Sequence, residues 1–155
     1  MRMSKGVEWA LHTLLNLHMT GGGPVGSGQL AAVHGLSATY LNKQLQLLVK
    51  AGLLTSLPGA RGGFRLARAL QDITLLDVVE AIEGDVRPFQ CTEIRCCGRV
   101  GELTPPPSEA CPVKVAMVRA EDAWRQALAA QTLAEIQTEL EHRPDVADAV
   151  RSALS

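Results

Sequence analysis

The sequence predicts a mainly α-helical chain carrying one small β wing, and three observations carry that prediction. Apolar residues recur at helical spacing in most segments, from Val7–Leu15 to the run that begins at Val113. Strand-like stretches are confined to Leu53–Leu57 and Phe64–Leu66, on either side of a Pro- and Gly-rich link. Strong breakers, Gly21-Gly22-Gly23-Pro24, Gly35, Ala51-Gly52 and Gly84, cut the helical pattern into pieces of ordinary length. Aromatic residues make up only 3% of the chain, so the core is expected to consist of Leu, Val, Ile and Ala.

The first helix is expected over residues 4–19, with Ser4 as N-cap and Val7, Ala10, Leu11, Leu14, Leu15 and His18 on one side. A short second helix follows at 27–34, with Leu30, Ala31 and Val33 inward. Ser37 caps a third helix that runs to Lys50 and buries Leu41, Leu45 and Leu48. The strands Leu53–Leu57 and Phe64–Leu66 come next, joined by Pro58-Gly59-Ala60-Arg61-Gly62-Gly63. Three helices, the last two around a Gly turn, and then a strand, a loop and a strand make a winged helix-turn-helix, a DNA-binding unit. A fourth helix is expected from Asp72 to Ile82, with Leu75, Val78, Val79 and Ile82 inward. Residues 85–111 read as a long loop containing Pro88, Pro105, Pro106, Pro107 and the cysteines 91, 96, 97 and 111; a loop that long usually carries function. Pro112 opens a long helix at its first position, and Val113, Met117, Ala120, Trp124, Ala127 and Gln131 mark a near-heptad stripe suited to a dimer seam or to packing on its own domain. Thr132–Leu140 reads as a further helix, and the polar stretch from Glu141 as a frayed tail. The expected organisation is therefore 1–84, winged helix-turn-helix; 85–111, cysteine loop; 112–141, dimerisation helices; and 142–155, flexible tail.

Charge divides along the chain. Residues 1–70 hold seven Lys or Arg against one acid, a net of +6; residues 71–155 hold eight against fifteen acids, a net of −7. A basic N-terminal half is the footprint of a nucleic-acid reader, although solvated faces can also segregate charge. No apolar run reaches the roughly 18 residues of a membrane span, and Lys5 and Glu8 interrupt the N-terminal apolar stretch, so no signal peptide is expected. The chain is expected to be cytoplasmic, where cysteines stay reduced and bind metals or sense redox state. A thiol oxidoreductase is not indicated, because no Cys-x-x-Cys element precedes a helix. No enzyme activity is expected.

Four cysteines in one loop, with Glu8 and His12 one helical turn apart, offer thiolate, carboxylate and imidazole donors. That mixture suits iron chemistry better than structural zinc. Read alone, Glu8 and His12 are equally an exposed i,i+4 pair.

The stretch LAAVHGLSATYLNKQLQLLVKAGLL (Leu30–Leu54), the wing GARGGFRLA (Gly59–Ala67) and ITLLDVVEAIEG (Ile73–Gly84) resemble the IscR/NsrR/CymR family of winged-helix regulators, the Rrf-two family. The resemblance extends through the cysteine loop to TLAEI (Thr132–Ile136). It implies a homodimer, held by the long helix, that binds palindromic double-stranded DNA. CTEIR (Cys91–Arg95), with Glu8-Trp9 and His12, looks closest to the actinobacterial redox-sensing branch, which implies a 2Fe–2S cluster. The ligands so implied are Glu8, His12, Cys91 and Cys111, with the first-helix pair coming from the opposite subunit. Cys97 stays open between a loop thiol and a third thiolate, as in nitric-oxide-sensing relatives with 4Fe–4S clusters. The same residues are also compatible with cluster-supply sensing and with a cluster-free interaction module.

Trp9 directly follows a proposed ligand and lies opposite Leu11 and Leu14 on the wheel, beside Thr13 and Asn16. Either it packs near the cluster and changes exposure with redox state, or it belongs to a dimer interface. On the third helix, Thr39, Asn42, Lys43 and Gln46 face away from the buried leucines, with Ser37 and Tyr40 at its start; these are the expected DNA contacts. Arg61 at the wing tip suits a minor groove. Arg2, Lys5, Lys50, Arg65 and Arg68 add positive charge.

Overall fold

The computed structural model describes residues 3–85 and 87–155. Its elements run α1 (Lys5–Met19), α2 (Ser27–Val33), α3 (Ala38–Lys50), β1 (Leu54–Leu57), β2 (Gly63–Leu66), α4 (Leu75–Glu83), α5 (Gly98–Leu103), α6 (Pro112–Ala129), α7 (Leu133–Glu141) and α8 (Pro144–Leu154), with 3-10 turns at Leu70–Asp72 and Ile94–Cys96. The chain is mainly helical with one two-stranded antiparallel sheet, the predicted class. It forms two compact units. One comprises the described residues up to Asp85 together with Leu128–Ser155; the other comprises Arg87–Ala127. The expected division puts the loop and the long helix in separate segments. The structure instead groups them and returns α7 and α8 to the winged-helix unit.

In that unit α1 is wrapped by α3, α4 and α8. Val7, Ala10, Leu14, Leu15 and Leu17 are buried, and so are Thr13 and Asn16. The wrapping is wider than a single stripe. Leu17 and Met19 therefore take inward places and His18, expected inward, is exposed. Ser4 stands at the N-cap position without a side-chain cap bond; its N–H donates instead to Glu83 Oε1 (2.8 Å), tying α1 to the end of α4. Gly6 lets α1 approach α3 closely, since a Cβ there would come within 2.7 Å of Gln44 Oε1.

The wing pairs Leu54 with Leu66 and Leu57 with Gly63. It is sewn to the α1–α2 connection by reciprocal bonds. Val25 N–H donates to the Phe64 carbonyl (3.0 Å) and Phe64 N–H to the Val25 carbonyl (2.8 Å). Gly63 has φ +148°, and a Cβ there would collide with the Val25 carbonyl.

The fourth helix starts at Leu75, later than expected. Thr74 and Asp77 form a capping box, with Asp77 N–H donating to Thr74 Oγ1 (3.1 Å) and Thr74 N–H to Asp77 Oδ2 (2.8 Å). Thr132 and Glu135 form the same box at the start of α7. The two capped ends lie antiparallel. Leu75 N–H donates to the Gln131 carbonyl (3.0 Å) and Leu133 N–H to the Ile73 carbonyl (2.9 Å), with Ile73 and Leu133 fully buried.

The polar tail is also corrected. Pro144 occupies the first turn of α8, and Ala147, Val150 and Leu154, at helical spacing, are buried in the core with α1, α2 and α7. The charged residues Asp145, Asp148 and Arg151 give the segment its polar character, and all three are exposed. The expected structureless loop likewise contains α5 and a 3-10 turn.

Candidate nucleic-acid interface and metal-ligand residues

The helix-turn-helix builds its outer face from α3. Ser37 stands at the N-cap, where its Oγ accepts from Tyr40 N–H (3.4 Å). Leu41, Leu45 and Leu48 are all 0% exposed, which fixes the rotation of the helix. That rotation leaves Ser37, Thr39, Lys43 and Gln46 exposed and Asn42 half-buried, on the side opposite the leucines. Arg61 is exposed in the β1–β2 link, and Lys5, Lys50 and Arg65 are exposed as well. Two of the expected residues also have partners within the chain. Arg68 Nη2 donates to the Ala51 carbonyl (3.3 Å), which ties its guanidinium to the end of α3. Tyr40 is 41% exposed, but its ring meets Trp9 edge-on. Arg2 lies outside the described residues.

Glu8 and His12 are both exposed on α1. They share an open cleft of about 250 Å³ with Trp9, His34 and Leu36. The His12 and His34 rings lie 5.6 Å apart. Buried Asn16 holds the second ring, its Nδ2 donating to His34 Nε2 over 3.0 Å. Desolvation, and then the neighbouring His12, keep the His34 imidazole below its ordinary pKa. Trp9 is half-buried against the core. The face that looks polar on the wheel is covered, because Thr13 and Asn16 are buried.

In the other unit Cys111 stands immediately before α6. Its carbonyl accepts from Val115 N–H (3.0 Å), as an N-cap residue does. The backbone N–H of Lys114 donates to its sulfur, and that of Val113 adds to it. With the Arg95 charge and the Cys91 thiol beside it, these hold the Cys111 thiol below its ordinary pKa although burial pushes the other way. Cys91 is half-buried and donates to Glu93 Oε1 (3.5 Å). Glu93 adopts a left-handed conformation, φ 52°, and takes two bonds from Arg95, from Nε (3.3 Å) and Nη2 (2.8 Å). The Arg95 hydrogen bond is the main reason that the Glu93 carboxyl sits below its usual range. Arg95 also donates to the Glu109 carbonyl (3.2 Å), closing the loop beside Cys111. Cys96 and Cys97 are exposed, Cys96 with Arg95 as its charged neighbour.

The structure thus brings Cys91 to Cys111 and Glu8 to His12, with one pair in each unit. Among the described residues no three His, Cys, Asp or Glu side chains gather as a metal site within the chain. By donor chemistry the two pairs fit a mixed iron–sulfur ligand set: soft sulfur on one unit, with the Cys111 thiolate favoured, and nitrogen and oxygen on the other.

Two arrangements are not anticipated from sequence, the Glu93–Arg95 pair and the Asn16–His34 pair. An acid and a base two apart between the cysteines is a usable signal for the first. The second, across eighteen residues, has none.

The family model for Rrf2, described as an iron-dependent transcriptional regulator, matches residues 3–139. The chain is 33% identical to YwgB of Bacillus subtilis over 137 residues, 88% of this chain and 84% of that one. It is 31% identical to the HTH-type transcriptional regulator IscR of Photobacterium profundum over 106 residues, 67% of this chain and 62% of that one. Among solved structures it resembles CymR, the global cysteine regulator of B. subtilis, with TM-score 0.69 and 25% identity over 90% of this chain and 98% of that one. It resembles T. potens IscR with TM-score 0.68 and 25% identity, over 92% and 90% of the two chains. No helix among the described residues is long and apolar enough to cross a membrane. With the wing, the recognition helix and these matches together, the chain belongs to the Rrf2 family of transcriptional regulators.

Proposed function

We propose that this regulator works as a homodimer on a palindromic double-stranded operator, and that it reads redox state through a 2Fe–2S cluster held by Cys91 and Cys111 of one subunit and Glu8 and His12 of the other. The observation that carries this reading is the Cys91–Cys111 pair, in which backbone N–H groups at the start of α6 favour the thiolate form of Cys111. A cysteine ligates a cluster as thiolate, and these N–H groups lower the cost of reaching that form. When bound, such a cluster would supply a one-electron change of charge.

The chain's own residues do the rest. Glu8 and His12 present an oxygen and a nitrogen to one cleft, and two donors from each subunit complete a set of four. Trp9 connects that cleft to Tyr40 in the first turn of α3, so displacement of the ligand-bearing turn bears on the recognition helix. A shift of dimer populations follows only if the two redox states favour different geometries. The α6 face bearing Val113, Met117, Ala120, Trp124 and Ala127 supplies the dimer seam. Thr39, Asn42 and Gln46 read base edges, and Ser37, Lys43 and Arg61 hold the backbone and grooves.

Iron and sulfide analysis with optical and EPR spectra on anaerobically purified protein tests the reading, on wild type and on Glu8→Ala, His12→Ala, Cys91→Ala, Cys111→Ala and Cys97→Ala. The first four variants are expected to lose or alter the 2Fe–2S signature and Cys97→Ala to keep it. Loss in Cys97→Ala with a 4Fe–4S spectrum favours nitric-oxide sensing instead. Trp fluorescence that stays constant between oxidised and reduced protein removes the role given to Trp9. The likeness to the cysteine regulator CymR supports a second reading, the same DNA unit answering a different signal; wild type without iron and sulfide but with salt-sensitive DNA binding would select it.

A further inference from the structure

Cys91 and Cys111 stand twenty residues apart in sequence, and apolar packing within the chain does not draw them together. No residue from 87 to 110 is buried among those described, and Ile94, Val100 and Leu103 in that stretch are exposed. A run of polar contacts closes the loop instead. Cys91 Sγ donates to Glu93 Oε1 (3.5 Å), and the other carboxylate oxygen, Oε2, accepts from Nε (3.3 Å) and Nη2 (2.8 Å) of Arg95. The same Nη2 donates to the Glu109 carbonyl (3.2 Å), close before Cys111. One guanidinium thus joins the limb that carries Cys91 to the limb that carries Cys111, and its charge also acts on the Cys111 sulfur.

As a source of stability this arrangement is weak. The Arg95 and Glu93 side chains are 31% and 43% exposed, and exposed ion pairs contribute little. Yet Glu93 keeps a left-handed backbone, φ 52°, which costs a residue other than glycine free energy and persists only where its surroundings impose it. That backbone presents the carboxylate to Cys91 and Arg95 together. Lys114 acts on the same carboxylate by charge. Only a planar guanidinium, with its donors in a rigid fork, can serve a carboxylate and a carbonyl at once.

We propose that Arg95 is the positioning residue of the cysteine pair: through Glu93 and the Glu109 carbonyl it holds Cys91 beside Cys111 before any metal centre is bound, and it keeps a positive charge next to them. The use of that pair as ligands rests on the cluster reading; the bracing belongs to the metal-free chain. Groups that orient metal ligands in this way commonly change metal affinity or activity ten- to a hundredfold when replaced.

Cross-linking of the full-length, metal-free protein tests the bracing. In a Cys96→Ser, Cys97→Ser background, diamide takes two electrons and two protons from Cys91 and Cys111, leaving an intrachain disulfide and the reagent's hydrazine. That rate, divided by the rate at which iodoacetamide alkylates the same thiols, reports proximity rather than reactivity. Arg95→Gln is expected to lower the ratio about tenfold, and Arg95→Lys nearly as far, because it keeps the charge without the fork. Glu93→Gly suits the backbone better but removes the carboxylate. It should lower the ratio as Arg95→Gln does, and the two together should add nothing. A ratio within about twofold of wild type in Arg95→Gln, or Glu93→Gly at wild-type speed, overturns the proposal and leaves an ordinary surface ion pair. So does a wild-type disulfide that forms between chains. Glu93→Gly keeps the test decisive if Arg95→Gln folds poorly. In cluster-loaded protein, removing the cation beside the cysteines should disfavour the added electron. The reduction equilibrium of Arg95→Gln is expected to fall roughly tenfold, about 59 mV for one electron, with Arg95→Lys close to wild type. An unmoved potential in Arg95→Gln overturns the part given to charge. Wild type that takes up no iron and sulfide fails the cluster reading instead, and the cross-linking ratios alone then decide the role of Arg95.

Discussion

Trp9 of α1 and Tyr40 of α3 meet edge to face, their ring centroids 5.0 Å apart and their planes at 82°. The residue beside Glu8 therefore touches the first turn of the recognition helix directly. An aromatic pair of this geometry contributes about 0.5–1.5 kcal/mol beyond its buried area. A double-mutant cycle with Trp9→Ala and Tyr40→Ala, followed by urea unfolding, is expected to return a coupling energy in that range, with Tyr40→Phe close to wild type. Additive single effects would sever the link between the α1 cleft and α3.

DNA affinity should divide by residue type. Lys43→Ala and Arg61→Ala each remove a charge from an exposed position and should lower the slope of log affinity against log salt by about 1 if each neutralises a phosphate. Gln46→Ala should leave the slope alone and relax preference at one operator position, with about 1–3 kcal/mol lost on the favoured base. Fluorescence anisotropy across a salt series separates the two patterns.

Gly63 links the wing to the Val25 segment where no side chain fits. Gly63→Ala is expected to destabilise the fold by about 1–3 kcal/mol through overpacking and a backbone angle unfavourable to alanine. Gly59, with φ +97° but nothing near its absent side chain, should show the backbone penalty alone. Thermal melts of the two variants would rank them in that order.

Truncation after His142 removes Val150 and Leu154, which are 7% and 9% exposed, from the core. At roughly 1.5–3 kcal/mol for each buried Val or Leu, the shortened chain should lose about 3 kcal/mol or more in chemical denaturation. An unchanged midpoint would mean that α8 contributes nothing to the unit.

The helices legible in the sequence are those whose buried residues lie along one stripe. Leu41, Leu45 and Leu48 fix α3 and with it every outward residue. α1 is half legible, because its buried face is wider than one apolar stripe: its wheel suggests a polar side at Thr13 and Asn16, and tertiary packing buries both. The start of α4 is misleading because Asp72 carries a helix-initiating charge, while the Thr74–Asp77 box lies two residues beyond it. α8 is concealed because three of its residues are ionic and its buried set is small. In the site, the individual donors are legible from residue type. The Arg95 clamp between Glu93 and the Glu109 carbonyl is not, since it rests on a left-handed backbone at Glu93 that a non-glycine residue rarely adopts.

The antiparallel seating of Thr74 against Thr132 has a consequence for biosynthesis. Leu133 N–H donates to the Ile73 carbonyl and Leu75 N–H to the Gln131 carbonyl, and α8 packs against α1 and α2. A nascent chain emerging at ordinary translation speed thus gains the last contacts of this core only after α8 has been made. Until Ala147, Val150 and Leu154 arrive, the winged-helix unit stands without their share of the core, across the time taken to make the intervening cysteine segment.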